Sequence, residues 1–248
     1  MRSPEKFEPR LEPQSKMPPE KERKEEKGNE LTKEQIEILE DMSIAPYEKM
    51  ELILVKAGLK SATSIELASD TWREQEESKK VDRKRQQDIE RALGEEGYAY
   101  KSSDPEIEKI TVVEDDIPEE KIKPEDEIFE EREKIVIEIA RNQEELREYL
   151  KTIEGGSDKE LGKMYGFPES AIEAYLRSED DPGIVMSRKN LPEDIRKQEW
   201  SLFATFMMSK DKWEEELEVV KQWSETVNRI SPEIYKEYIE YMKKMTNF

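Results

Sequence analysis

What this chain can fold into is set first by how little it has to bury: charged residues make up 42% of it and apolar ones only 34%. A core assembled from so few apolar groups must draw them from patterned segments, leaving unpatterned charged stretches outside. Residues 1–30 are such a stretch, with five Pro, eight Lys or Arg, eight Glu, and only Met1, Phe7, Leu11 and Met17 as large apolar groups. They are expected to form a disordered tail that folding does not need.

Patterned segments begin at residue 31. Thr32 with Gln35 makes a capping box ahead of Ile36, Ile38 and Leu39. Pro46, a good first-turn residue, opens a second helix that carries Met50, Leu52, Ile53 and Leu54 to a stop at Gly58. Residues 31–60 therefore read as a helical hairpin. A small α+β unit is expected over 61–155. It starts with a strand holding Ile65 and Leu67 between Ser61 and Ser69, followed by a charged helix over 73–93 that Gly94 ends. Strands around Tyr98 and Tyr100 and around Ile110 and Val112 should form a hairpin through a turn at Ser103-Asp104-Pro105. A fourth strand spans 134–140, and Asn142 with Glu145 caps a helix through Leu150. Together these make a small mixed sheet with covering helices.

Between that hairpin and the fourth strand, residues 104–133 hold fourteen acids against four bases, half of the chain's total excess of 20 negative charges. A solvated loop is the expected reading. Glu114-Asp115-Asp116 lacks the alternate spacing and the central Gly of a calcium loop, so no metal site is assigned.

Residues 156–248 read as a helical unit. After Gly155-Gly156, Ser157 and Glu160 form another capping box, and the chain runs Leu161-Gly162-Lys163-Met164-Tyr165-Gly166-Phe167-Pro168-Glu169-Ser170-Ala171-Ile172-Glu173-Ala174-Tyr175-Leu176. This segment resembles a helix-turn-helix. Gly162 stands where that family needs a small residue for a close crossing, Gly166 at the turn, and Ile172 where a β-branched residue closes the core, with Leu161, Tyr165 and Tyr175 as core partners. In DNA-binding members the start of the second helix reads base edges, which the resemblance would assign to Glu169, Ser170 and Glu173. Residues 157–180 carry six acids against three bases, too few bases to neutralise a phosphate backbone. That leaves a purely structural hairpin or a protein-docking one; on the docking reading Glu169, Ser170 and Glu173 are the candidate binding residues, and no specific nucleic-acid partner is expected. The string LGxxxGFPESAIEAY also resembles a segment of uncharacterised bacterial proteins, related strings having paired Cys where Glu169-Ser170 stand here. That kinship implies no assigned activity and transfers no catalytic residues.

Beyond Asp180-Asp181-Pro182-Gly183 a bundle of three helices is expected. The first, from Pro192, presents Ile195, Leu202, Phe203 and Phe206; the second Trp213, Leu217, Val220 and Val227; the third, opened by Pro232, Tyr235, Tyr238, Ile239 and Met242. The fold class expected overall is α+β, mostly helical: the small sheet, then the helix-turn-helix-like hairpin and a C-terminal helical bundle.

Function is bounded more by what is absent. The chain has no His and no Cys, which removes the usual zinc sites, thiol nucleophiles and Ser-His-Asp triads. Gly58-Leu59-Lys60-Ser61 lacks the first Gly and the Gly-Lys pair of a phosphate loop. No cofactor is called for. Lacking a signal-type apolar stretch or any membrane-length one, the chain is expected to be cytoplasmic. Its acidity opposes membranes and nucleic acid, so a charged partner should be basic. The reading is a non-enzymatic binding or regulatory protein docking through its helical C-terminal half. An enzyme without His would need paired carboxylates, or a Lys or Tyr with a shifted pKa, and a nucleic-acid binder is supported by shape but opposed by charge.

Overall fold

The computed structural model describes residues 31–68, 80–112 and 128–246. The expected tail over 1–30, the first part of the helix expected from residue 73, and Glu114-Asp115-Asp116 lie outside the described residues. The described chain is mostly helical with a small sheet, an α+β architecture.

Helix α1 (Lys33–Asp41) starts on the expected box: the Thr32 hydroxyl accepts the Gln35 N–H and the Gln35 side chain accepts the Thr32 N–H. Helix α2 (Pro46–Lys56) begins with the Glu48 carboxylate accepting the Ala45 N–H at 2.8 Å, and it ends before Gly58 at φ +72°. Met50, Leu52, Ile53, Leu54 and Val55 are all fully buried. That run is apolar nearly all round because α2 is enclosed by strand β1 (Ala62–Ala68) and by the late helices α8 (Trp213–Ile230) and α9 (Pro232–Met245).

The sheet differs from the expected one in two ways. Strand β4 (Ile128–Ala140) is its centre, and every described pairing in it is antiparallel rather than mixed: β1 lies on one side, β2 (Ala99–Ser102) and β3 (Glu106–Val112) on the other. Strands β2 and β3 are not a hairpin. Both run antiparallel to β4, end to end along the same edge, with Ser102 opposite Ile137 and Glu106 opposite Lys134. Four steps on this edge face three on β4, so Ser103-Asp104-Pro105 hold one extra residue, a bulge instead of a turn. Pro105, which has no N–H to give a ladder, is tolerated there. Ser103 repairs the break, its N–H donating to the Val136 carbonyl and its hydroxyl accepting the Val136 N–H at 3.1 Å.

Part of the acid-rich run is therefore strand. Arg132 on β4 binds Glu108 on β3 at 2.7 Å and Glu66 on β1 at 3.1 Å, so alternating acids flank a central cation on the solvent face. The opposite face carries Ile65, Leu67, Ile135, Ile137 and Ile139 into the core. Helix α3 (Arg83–Glu95) is capped by Asp82 and covers that face with Ile89 and Leu93; it runs through Gly94 and stops at Gly97, φ +73°. Helix α4 (Gln143–Gly155), capped by the Asn142 side chain, closes the alanine-rich end of the other face with Leu146 and Tyr149.

Helices α5 (Asp158–Met164) and α6 (Glu169–Arg177) form the expected hairpin. The helix expected from Pro192 is broken into one turn, α7 (Glu193–Arg196), and a 3-10 segment, Glu199–Phe203, flanked by a two-residue ribbon of β5 (Val185–Met186) and β6 (Met208–Ser209). Leu202, Phe203 and Phe206 are buried from this irregular stretch, so their spacing reports burial without a continuous helix. Helices α8 and α9 follow as expected, with the Ser231 hydroxyl capping α9. No described helix is long and apolar enough to cross a membrane.

Candidate docking site on the helical hairpin

The hairpin owes its shape to its two glycines. A Cβ on Gly162 would lie 2.8 Å from the Ile172 side chain, so the expected close crossing of α5 and α6 is present. Gly166 takes φ +72° at the turn, and its α-carbon also faces another part of the chain: a Cβ there would lie 2.2 Å from the Leu59 carbonyl oxygen. The Ser61 N–H donates to the Met164 carbonyl at 2.7 Å, so the hairpin is seated on the α2–β1 connection.

The three assigned residues divide. Glu169 and Glu173 are exposed one helical turn apart on α6, and each lies 3.5 Å from the Lys159 ammonium on α5. Ser170 points the other way and is partly buried. Its hydroxyl donates to Glu216 Oε1 at 2.6 Å, while Glu216 Oε2 accepts the Ser209 N–H at 2.9 Å. Glu216 is buried on α8; burial holds its carboxyl pKa above the ordinary value, and these two hydrogen bonds offset only part of that rise. Ser170 thus ties α6 to α8 and β6, and the structure gathers only the two glutamates on the surface.

Beside them lies a groove of about 340 Å³, lined by Leu161, Tyr165, Phe167, Ile172, Tyr175 and Met207 among others, with Asp158 at α5's start the one acid on its wall among the described residues. Tyr175, expected in the hairpin core, is 53% exposed here; Leu176 and Met207 are exposed too. The floor is aromatic: Phe167 packs on Phe206 and Trp223 at 5.2 and 6.4 Å between ring centroids, and the buried Lys60 ammonium sits 4.3 Å from the Trp223 ring centroid while binding Glu51 at 2.7 Å. Phe206 and Met207 were not foreseeable as groove residues, because they come from the irregular stretch some 30 residues beyond α6. Lys159 sits at the spacing of a surface helix residue, and nothing local marks it as the partner of two glutamates.

Acids with burial-raised pKa are Glu48, Glu96, Glu138 and Glu216. They stand on separate elements, and none lines the groove. Among the described residues no group of three or more acids is placed to hold a metal ion. No family model matches the chain, and neither a curated protein nor a solved structure matches it.

Proposed function

We propose that this is a non-enzymatic binding protein whose helical C-terminal half docks a protein partner in the groove between α5, α6 and residues 204–207. The observation that carries the reading is the apolar groove itself, lined in part by exposed Tyr175 and Met207 on a chain with so few apolar residues to spare. Exposed aromatic and Met groups around a preformed groove are the surface type that buries a second protein. The occupant that fits is an apolar segment flanked by basic residues. Asp158 lines the groove, Glu169 and Glu173 share α6 with its wall, and Glu179-Asp180-Asp181 follow that helix. The same acids oppose a phosphate backbone, which argues against the nucleic-acid reading that the hairpin's shape invites.

The test is photo-crosslinking from position 175 in the native cytoplasm, followed by in-vitro binding of the protein recovered. Direct binding should be lost with Tyr175→Glu and weakened about tenfold or more by Glu169→Lys with Glu173→Lys, the range for an interface's central residues. Circular dichroism must show each variant folded. Partners that bind both variants as well as the wild type would defeat the reading, as would a sequence-selective DNA shift at physiological salt.

A further inference from the structure

Both walls of the groove are fastened to one face of α8. Glu216 and Trp223 stand seven residues apart on that helix, a spacing of two turns that places them on the same side, and each is 1% exposed. Trp223 packs on a ring from either wall: Phe167 from the α5–α6 turn at 6.4 Å between centroids, and Phe206 from residues 204–207 at 5.8 Å and edge-on. Glu216 repeats the pattern with hydrogen bonds. Its Oε1 accepts the Ser170 hydroxyl of α6 at 2.6 Å, and its Oε2 accepts the Ser209 N–H of β6 at 2.9 Å. We infer that Glu216 is a positioning residue that fixes the width of the groove, and that Ser170 serves the groove through this carboxylate rather than by touching its occupant.

The two bonds reach both sides from behind. Ser170 precedes Ala171 and Ile172, which line the groove on one wall, and Ser209 follows Met207 closely on the other. A carboxylate holds its two oxygens at a fixed separation, so bonding one to each wall sets the distance between the walls. Among the described residues no other hydrogen bond joins α6 to α8 or β6. What else seats α6 is the burial of Ala171, Ile172 and Ala174. Such contacts have no preferred direction, whereas a hydrogen bond weakens steeply when bent.

Packing alone does not call for Glu at this place on α8. An apolar side chain would fill the space without the cost of desolvating a carboxyl. A buried polar group with both oxygens bonded stiffens the elements it joins, and that is what a preformed groove needs. The inference rests on the docking reading for what the groove holds, but the spacing of its walls is a property of the chain alone.

The chain has no Cys, so two nitroxide labels can be placed uniquely, through Arg177→Cys on α6 and Lys210→Cys just past β6, both exposed positions. Pulsed electron resonance on the full chain then reads the distance between the walls. Ser170→Ala and Glu216→Leu should lengthen or broaden the distance distribution, with circular dichroism showing each still folded; where Glu216→Leu does not fold, Ser170→Ala decides. Glu216→Gln should keep the wild-type distribution, because its amide oxygen can accept the Ser209 N–H while its amide nitrogen donates to the Ser170 oxygen. A side chain that merely filled space would be replaced by Leu without change. Crosslinking to the partner from a photoreactive residue at position 175 should fall severalfold in Ser170→Ala and persist in Glu216→Gln. Wild-type distances in the folded Ser170→Ala and Glu216→Leu variants overturn the inference, as does Glu216→Gln behaving like Glu216→Leu, or a widened groove that crosslinks at the wild-type yield. If the wild type itself crosslinks nothing, the docking reading fails, and the distances alone decide the role of Glu216.

Discussion

Glu96 is a buried carboxyl that the fold leaves without a hydrogen-bond partner among the described residues. It is 1% exposed, and burial raises its pKa to about 7, against the ordinary 4.5. Lys56, whose ammonium binds the Glu96 carbonyl rather than its carboxylate, lowers that value in part, and Glu95 raises it. A carboxyl whose folded pKa exceeds its unfolded one binds protons more tightly when folded. Its contribution is therefore intact below about pH 4.5 and is lost as pH rises toward 7. Denaturant titrations should show wild-type stability falling between pH 5 and 8, and Glu96→Gln should flatten that slope. The variant should gain roughly 1 to 3 kcal/mol at pH 8, the scale of a buried polar group without a partner. Parallel pH profiles would show that the side chain reaches water in solution. Nothing in Glu95-Glu96-Gly97 marks the middle residue as buried, since one more acid at a helix end reads as solvated.

Among the elements, those specified by neighbours in sequence were legible and those specified by distant contacts were not. Capping at Thr32, Asn142 and Ser157, the Pro46 and Pro232 starts and the Gly58 stop are local hydrogen-bond and dihedral demands, and each stands where the residues indicate. Ser103-Asp104-Pro105 reads as a turn in the sequence because a turn and a bulge want the same residue types; only β4 passing alongside distinguishes them. At the candidate site, Gly162, Gly166 and Ile172 were legible as a hairpin, but the second role of Gly166 was not, because Leu59 is remote in sequence. The two glycines should therefore respond differently to alanine. Gly162→Ala asks the Ile172 side chain to shift and should cost about 1 to 2 kcal/mol, within the usual overpacking range. Gly166→Ala forces a Cβ against a backbone oxygen at a left-handed φ and should cost about 2 to 4 kcal/mol. Equal costs in urea titrations would mean that the hairpin is not seated on the α2–β1 connection.

At the scale of the molecule, one large apolar cluster runs from Leu39 through the sheet to Ile239, so segments that read as separate helical and α+β units share their burial. Helix α2 is the reason, packed on β1 and on both α8 and α9. Around that shared core lies a shell of net charge −20, and two electrostatic effects compete as salt is added. Many of the described ion pairs are exposed on both partners, and such pairs contribute about 0 to 1 kcal/mol each, which screening removes. Against this, compacting the excess acids makes them repel one another over distances that approach the Debye length, about 30 Å at 0.01 M salt and 8 Å at 0.15 M. The excess is large and the exposed pairs are weak, so relief of repulsion should win. The melting temperature should rise by a few degrees between 0.01 and 0.15 M sodium chloride, corresponding to about 1 to 2 kcal/mol for a chain of this size. Scanning calorimetry at the two salt concentrations measures this directly, with sodium chloride chosen to avoid the stabilising exclusion effect of sulfate. A midpoint that falls with salt would mean that the surface ion pairs, led by Arg132 with Glu66 and Glu108, hold the fold against its own charge.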